Sequence, residues 1–249
     1  ASEAGVRVEL TVGPQPIGTY LVHDGSVEYD RGDSAFANLE AGAIDWRTLL
    51  GGARWLVVSG ITPLLGDGPR SNWGAAMTFA ELDGTLVALD LNHREALGSF
   101  VDFWNDIEPR LRQIHLLVLS PANLLTLAGS DEEGALSELR SKWNLPYLAC
   151  TWKRNGKRWS AVAHSMGVDS TSDRPVSHQP IEPLGGGDAW LAGFLDGLLH
   201  RSSPEECCHR GDLLAALTQR SFGDLGEVTR EELLEWESIE GAVDLSGDR

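Results

Sequence analysis

Four short apolar runs limit the folds open to this chain more than any other feature of its sequence. They are Trp55-Leu-Val-Val-Ser-Gly60, Thr85-Leu-Val-Ala-Leu-Asp90, Leu116-Leu-Val-Leu119 and Tyr147-Leu-Ala-Cys150. None alternates apolar with polar residues, so a strand made from any of them must be covered on both faces. The segments between them have a helical period. Trp73, Ala76, Met77 and Ala80 share one face, a helix is expected around Phe100–Ile107 with Pro109 closing it, and others near 121–128 and 132–143. Continuous strands alternating with amphipathic helices predict an α/β protein with a mostly parallel sheet layered between helices.

The flanks read differently. Val6, Val8 and Leu10 alternate with Arg7 and Glu9. After Gly13-Pro14-Gln15-Pro16 comes Gly18-Thr-Tyr-Leu-Val22, then Asp24-Gly25 and Val27-Glu-Tyr-Asp-Arg31, which predicts a hairpin or part of a small sheet. Residues 157–180 alternate again and are expected at an antiparallel edge. The last third is expected to be helical over 187–200, 204–220 and 229–238, with Thr229 and Glu232 forming a capping box, and residues 241–249 are expected to fray. The expected division is 6–33 as part of a β lid, 34–240 as a nucleotide- and substrate-binding core, and 241–249 as a tail.

Bulk properties narrow the function. With 249 residues, 42% of them hydrophobic, the chain can bury a substantial core. No apolar run approaches the roughly 20 residues needed to cross a bilayer, and ASEAGVRVEL lacks a basic-then-apolar leader pattern. A soluble, cytoplasmic protein is expected, with an organelle left open. A formal charge of −17 argues against nucleic-acid binding, which needs clustered cations against phosphates. Any anionic ligand must then be met by local cations or backbone N–H groups. Cys150, Cys207 and Cys208 have no metal-ligand spacing and are expected as packing thiols, and the histidines show no metal pattern.

Open α/β sheets bind ligands beyond the carboxyl ends of their strands. Those ends here carry Ser59-Gly60, Asp90-Leu-Asn-His-Arg94, Ser120 and Lys153-Arg154. The segment Leu184-Gly-Gly-Gly-Asp-Ala-Trp-Leu-Ala-Gly-Phe-Leu195 opens a helix with three glycines, whose amides can converge on an anion. Asp188 beside them could take a proton from an attacking hydroxyl. The alternative is a flexible loop with Asp188 as an ordinary N-cap.

Several motifs in chain order resemble one family. GGGDAWLAGF resembles the G-A-G-D-A-F anion-hole signature of the ribokinase-like (PfkB-type) carbohydrate kinases, and DLNHR (90–94) their D-x-N-x-R strand end. SGITP (59–63), and YDRGDSAF (29–36) after GTY (18–20), resemble more narrowly the 2-keto-3-deoxygluconate kinases. The resemblance implies a three-layer α/β/α ribokinase-like fold with a mostly parallel central sheet and a small β-sheet lid. It implies an ATP-dependent kinase acting on the terminal hydroxyl of 2-keto-3-deoxygluconate or a similar sugar acid, with Mg²⁺, and a monovalent cation as a further candidate. The partners implied are the small-molecule substrate and ATP, with no nucleic acid and no membrane, and pairing through the lid as a route to a homo-oligomer.

Carried over residue by residue, the resemblance makes Asp188 the catalytic base and the Gly185, Gly186 and Gly187 amides the anion hole. Tyr20, Tyr29, Arg31 and Arg94 are implied at the substrate. Asn92, Lys153, Arg154, Asn155 and Gly156 are implied near the nucleotide, with no protein ligand to a metal. Arg suits a sugar acid because its planar fork binds a carboxylate bidentately. An ion pair with Asp30 or Asp33 is the alternative for Arg31, and a solvated hairpin turn the alternative for Lys153–Gly156. Two departures stand out. The family's N-x-x-E motif reads Ser120-Pro-Ala-Asn123 here, without a carboxylate. The chain also begins at the second half of the lid, without the family's first strands and its G-A-E-x-N type motif, so part of a longer protein is expected. These departures keep open a kinase-like structural or interaction subunit, and a kinase for a neutral sugar such as fructose.

Overall fold

The structure, a computed structural model, describes residues 5–23, 26–166, 170–182 and 184–246. The chain forms two compact units. One comprises the described residues up to Val87 together with His93–Gln113; the other comprises Ala88–Asn92 and the described residues from Ile114 onward.

In the first unit, β1 (Thr19–His23) and β2 (Ser26–Asp30) form an antiparallel two-stranded sheet in which Tyr20 faces Tyr29. The Asp24-Gly25 turn expected between them lies outside the described residues. All of β1 is exposed. The alternation over Val6, Val8 and Leu10 does not make a strand: residues 6–12 have no regular structure, and Leu10 is 83% exposed. Helix α1 (Trp46–Leu50) is capped by the Asp45 carboxylate, which accepts from the Thr48 N–H. Strand β3 (Trp55–Ser59) leads through a 3₁₀ turn into α2 (Asp67–Asp83). Helix α2 buries Trp73, Ala76, Met77 and Ala80, the face its 3.6-residue period marks. Strand β4 (Leu86–Asp90) begins here, with the Leu86 N–H donating to the Arg54 carbonyl at 3.0 Å. Helix α3 (Phe100–Ile107) starts at a Ser99 cap and buries Phe103 and Ile107. Pro109 ends α3 by converting the chain to a 3₁₀ stretch, Glu108–Gln113.

The second unit carries the end of β4 and the strands β5 (Leu116–Leu119), β6 (Tyr147–Arg154), β7 (Lys157–His164), β8 (Ser170–Thr171), β9 (Val176–Ser177) and β10 (Val243–Asp244). The sheet order is β10-β9-β7-β6-β5-β4, with β8 also on β7. Strands β4, β5 and β6 are parallel, and β7 returns antiparallel to β6. All four residues of β5 are buried, as its unbroken apolar sequence requires. Each such side chain contributes about 1.5–3 kcal/mol to the core. Helices α4 (Pro121–Ala128), α5 (Ala135–Trp143), α6 (Gly186–Leu199), α7 (Pro204–Thr218) and α8 (Arg230–Glu237) complete the unit. The mainly parallel sheet with helices and the small antiparallel sheet agree with the expected α/β fold class.

Three expectations change. Strand β6 does not stop at Cys150 but runs to Arg154, because β7 pairs with it along its whole length. The segment expected to fray holds β10, parallel to β9, with Val243 and Leu245 buried. At Thr229 the hydroxyl accepts from the Glu232 N–H, one half of a capping box. Complete boxes form at Ser120 with Asn123 and at Ser203 with Glu206.

Candidate functional site

The first turn of α6 places backbone amides ahead of the helix's own ladder. Gly185 is its N-cap at φ 68°, ψ −10°, and no side chain caps the helix. That left-handed conformation favours glycine, and a Cβ there would also run into the Asp224 carbonyl. The first ladder bond is Ala189 N–H to the Gly185 carbonyl at 2.9 Å. The amides of Gly186, Gly187 and Asp188 therefore precede it, where the macrodipole is positive. A Cβ on Gly187 would meet nothing within 4 Å, so this is the open side of the turn. Asp188 is not the cap; it is the third helical residue and is exposed.

Behind Gly186 the environment is polar and buried. A Cβ on Gly186 would come within 2.6 Å of Gln219 Nε2 and 3.2 Å of Arg158 Nη2. Arg158 is 7% exposed, and its Nη2 donates to Gln219 Oε1 at 3.2 Å. His178 Nε2 donates to the same oxygen at 3.0 Å. Burial lowers the Arg158 pKa, opposed by the negative charge of Asp212. Asp212 is fully buried and accepts from Ser160 Oγ at 3.0 Å; burial pushes its carboxyl up to about 7. Trp190 of α6 donates to the same Ser160 hydroxyl at 3.1 Å. Burial also lowers the His178 pKa, and the Arg158 and Lys153 charges add to that effect against the Gln219 bond.

The β6–β7 hairpin sorts its cations by face. Its turn is Asn155-Gly156, both at positive φ (52° and 73°), as a two-residue type I′ hairpin requires. Directly opposed residues share a face. Lys153 opposes Arg158 and Thr151 opposes Ser160, so these lie on the face that packs Arg158 and Ser160 against α6 and α7. Arg154 opposes Lys157 and Trp152 opposes Trp159 on the other face. There Arg154 is paired with Asp131 at 2.7 Å, and Trp152 stacks on Trp159 with centroids 6.1 Å apart. Lys153 is exposed, with a pKa lowered by partial burial and then by Arg158. Of the two expected basic residues, Lys153 is on the glycine side and Arg154 is engaged elsewhere.

The first unit holds a cavity of about 360 Å³ lined by Tyr20, Tyr29, Arg31, Ser34, Ser59 and Thr62 among others. Tyr20, Tyr29 and Arg31 thus meet the Ser59–Pro63 motif in one place. The Tyr rings lie 6.2 Å apart, and the Arg31 guanidinium sits 3.9 Å from the Tyr29 ring centroid. Among the described residues Arg31 makes no ion pair with Asp30 or Asp33; it rests on the aromatic face instead. Arg94 is exposed, donates to the His93 carbonyl at 3.4 Å and does not line this cavity. Asn92, in the second unit, adopts φ 47°. His93 is a packing residue: its Nε2 donates to the Gly98 carbonyl at 3.0 Å, and its ring lies 5.2 Å from Phe100 and 5.0 Å from Phe103.

Asn123, at the place of the missing carboxylate motif, is engaged in capping α4. Its Oδ1 accepts from Ser120 Oγ at 2.9 Å. No three His, Cys, Asp or Glu side chains among the described residues are grouped to hold a metal ion. The α6 amides and Lys153 suit phosphate oxygens instead. A magnesium ion at such a site is held mainly by phosphate and water. All three cysteines are buried and unpaired. Sequence reasoning did not single out Arg158, Gln219, His178 or Asp212. The signal for Arg158 is its place as the last cation of Lys153-Arg-Asn-Gly-Lys-Arg158, four cations in six residues of an acidic chain.

No protein-family model matches the chain. It is 28% identical over 227 residues to the 2-dehydro-3-deoxygalactonokinase of Haloferax volcanii, covering 87% of this chain and 69% of that protein. Its fold is similar to that of the 2-dehydro-3-deoxygluconokinase of Thermotoga maritima, with a TM-score of 0.78 at 22% identity over 86% of this chain and 68% of that one. It is also similar to the fructokinase of Vibrio cholerae solved with fructose, ADP and a calcium ion. There the TM-score is 0.60 at 22% identity, over 74% of this chain and 60% of that one.

Proposed function

We propose that this chain, which belongs to the ribokinase-like (PfkB) carbohydrate kinases, transfers the γ-phosphoryl group of ATP to the terminal hydroxyl of a 2-keto-3-deoxy sugar acid. The observation that carries the reading is the head of α6, where an exposed carboxylate, Asp188, follows glycine amides that lie ahead of the helix ladder. Asp188 takes the proton of the substrate hydroxyl as its oxygen attacks the γ-phosphorus. The bond from that phosphorus to the bridging oxygen breaks, and ADP leaves with the electron pair. The Gly186 and Gly187 amides hold the charge spread over the transferring oxygens. Magnesium, arriving with ATP, supplies further charge neutralisation. Lys153 meets the nucleotide phosphates; Arg154, held by Asp131, does not.

The sugar-acid assignment rests on Arg31 and on the relatives. A cation held over Tyr29 beside Tyr20, Ser59 and Thr62 fits a carboxylate flanked by hydroxyls. The two enzymes of this specificity named above phosphorylate 2-keto-3-deoxy sugar acids by their names. A neutral sugar would leave Arg31 without a charge to meet.

The test is ATP-dependent phosphorylation of 2-keto-3-deoxygluconate, 2-keto-3-deoxygalactonate, fructose and ribose, with wild type and Asp188→Asn. Turnover of the two acids above the neutral sugars, lost in Asp188→Asn, is expected. Equal turnover of fructose would overturn the substrate assignment. Undiminished activity of Asp188→Asn, or no turnover by wild type, would overturn the mechanism.

A further inference from the structure

The cluster behind Gly186 contains a charge that packing does not require. An apolar side chain could fill the space of Arg158, yet a guanidinium is held there at 7% exposure. Desolvating a cation is costly, and such groups are normally paired with a carboxylate. Among the described residues no carboxylate lies within 4 Å of Arg158, and its Nε has no hydrogen-bond partner. Its side-chain bond is to a neutral amide oxygen, Gln219 Oε1, which His178 also holds in place. Asp212 acts on it without forming an ion pair. No carboxylate therefore meets the guanidinium directly where it sits.

The guanidinium is aimed at α6. Its Nη2 lies 3.2 Å from the position a Cβ on Gly186 would occupy, and the Gln219 amide crowds the same point. We propose that Arg158 is the fixed cation of the anion site at the head of α6, a positioning residue that adds its charge to the Gly186–Asp188 amides and, through Gln219, sets the shape of their turn. The proposal rests on the phosphoryl-transfer reading for the identity of the anion, a nucleoside-polyphosphate chain. It accounts for glycine at position 186 although its own φ is that of an ordinary helix: any side chain would part the amides from the cation behind them. At a separation of roughly 10 Å across the turn and an effective dielectric of about 20, loss of the charge weakens anion binding on the order of tenfold.

Calorimetric titration of the full chain with ADP and, separately, inorganic pyrophosphate tests it. Arg158→Lys is expected to keep most of the affinity and Arg158→Met to lose about tenfold. Gln219→Glu, which keeps an oxygen acceptor but neutralises the guanidinium, is expected to weaken both anions while thermal stability holds or rises. A folded Arg158→Met or Gln219→Glu variant that binds both anions like wild type would overturn the proposal, as would a wild-type chain that binds neither. If Arg158→Met does not fold, Gln219→Glu decides. Wild type that binds pyrophosphate through Arg158 but phosphorylates no sugar would sink the kinase reading and leave this inference standing.

Discussion

The hairpins β1–β2 and β6–β7 both present basic side chains, but their surroundings differ. In β1–β2 every residue of the first strand is exposed, and Arg31, just past the second, rests on a tyrosine ring. In β6–β7 both faces are occupied: Arg158 and Ser160 are buried against α6 and α7, and the stacked pair Trp152 and Trp159 lies on the other side. An isolated two-stranded ribbon is marginal in water, whereas a hairpin covered on both faces is fixed by its packing. The first arrangement suits a surface that adapts to a ligand, the second a surface that must not move. Substitutions in β1–β2 should therefore change substrate binding with little effect on stability, and truncation of the side chains buried in β6–β7 should lower stability.

The largest expected effect bears on the fixed half. Asp188→Asn should lower kcat on the order of a thousandfold, as loss of a general base does, with the melting temperature held. A parallel fall in melting temperature would show that the exposed carboxylate is structural. Next comes the adaptable half: Arg31→Ala should raise KM for the sugar acid about tenfold to a hundredfold without changing KM for ATP. Loss of global stability in that variant would break the contrast between the hairpins. Gly185→Ala sets a side chain against the Asp224 backbone in a left-handed conformation. Denaturant unfolding should show a loss of about 1–3 kcal/mol.

A smaller effect concerns pH. The folded-state pKa of Asp212 is raised to about 7, so the native state binds this proton more tightly than the unfolded chain does. The contribution is complete below the unfolded carboxylate range and is lost as pH rises through about 7. Melting temperatures measured from pH 5 to 8 should fall in wild type relative to Asp212→Asn; parallel profiles would count against it. The smallest effect is expected on the outer face of β6–β7. Arg154→Ala should leave KM for ATP within about twofold, since its exposed pair with Asp131 contributes little. Lys153→Ala should raise that KM severalfold, and equal effects would erase the sorting of cations by face.

The fold was legible where burial is symmetrical. Runs such as Leu116–Leu119 are apolar throughout because both faces of β5 are covered; the equally apolar Trp55–Ser59 departs from that rule, since β3 leaves Val57 exposed. Alternation misled at Val6, Val8 and Leu10, because the same pattern occurs in an exposed stretch that joins no ladder among the described residues. Strand β10 was not legible because it is two residues long and owes its place to β9. At the site, the glycine run stood out from its own sequence, whereas Lys153 and the Tyr20–Tyr29–Arg31 group stood out through the resemblance to one family. Arg158 with Gln219 did not: the two are 61 residues apart, and nothing in either neighbourhood announces the other. Asn123, at the place of the family's missing carboxylate motif, bonds Ser120 because it lies three residues into a helix.

The turn at Asn155-Gly156 has a consequence beyond closing a loop. Side chains alternate across a strand, so slipping the ladder by one residue would exchange the two faces of the hairpin. Arg158 would move to the tryptophan side, and Lys157 or Trp159 would be pressed towards α6. The type I′ geometry, tolerated by Asn and Gly at positive φ, selects against that slip. The handedness of two peptide units, at the tip of a hairpin, thus settles the electrical polarity of the whole element.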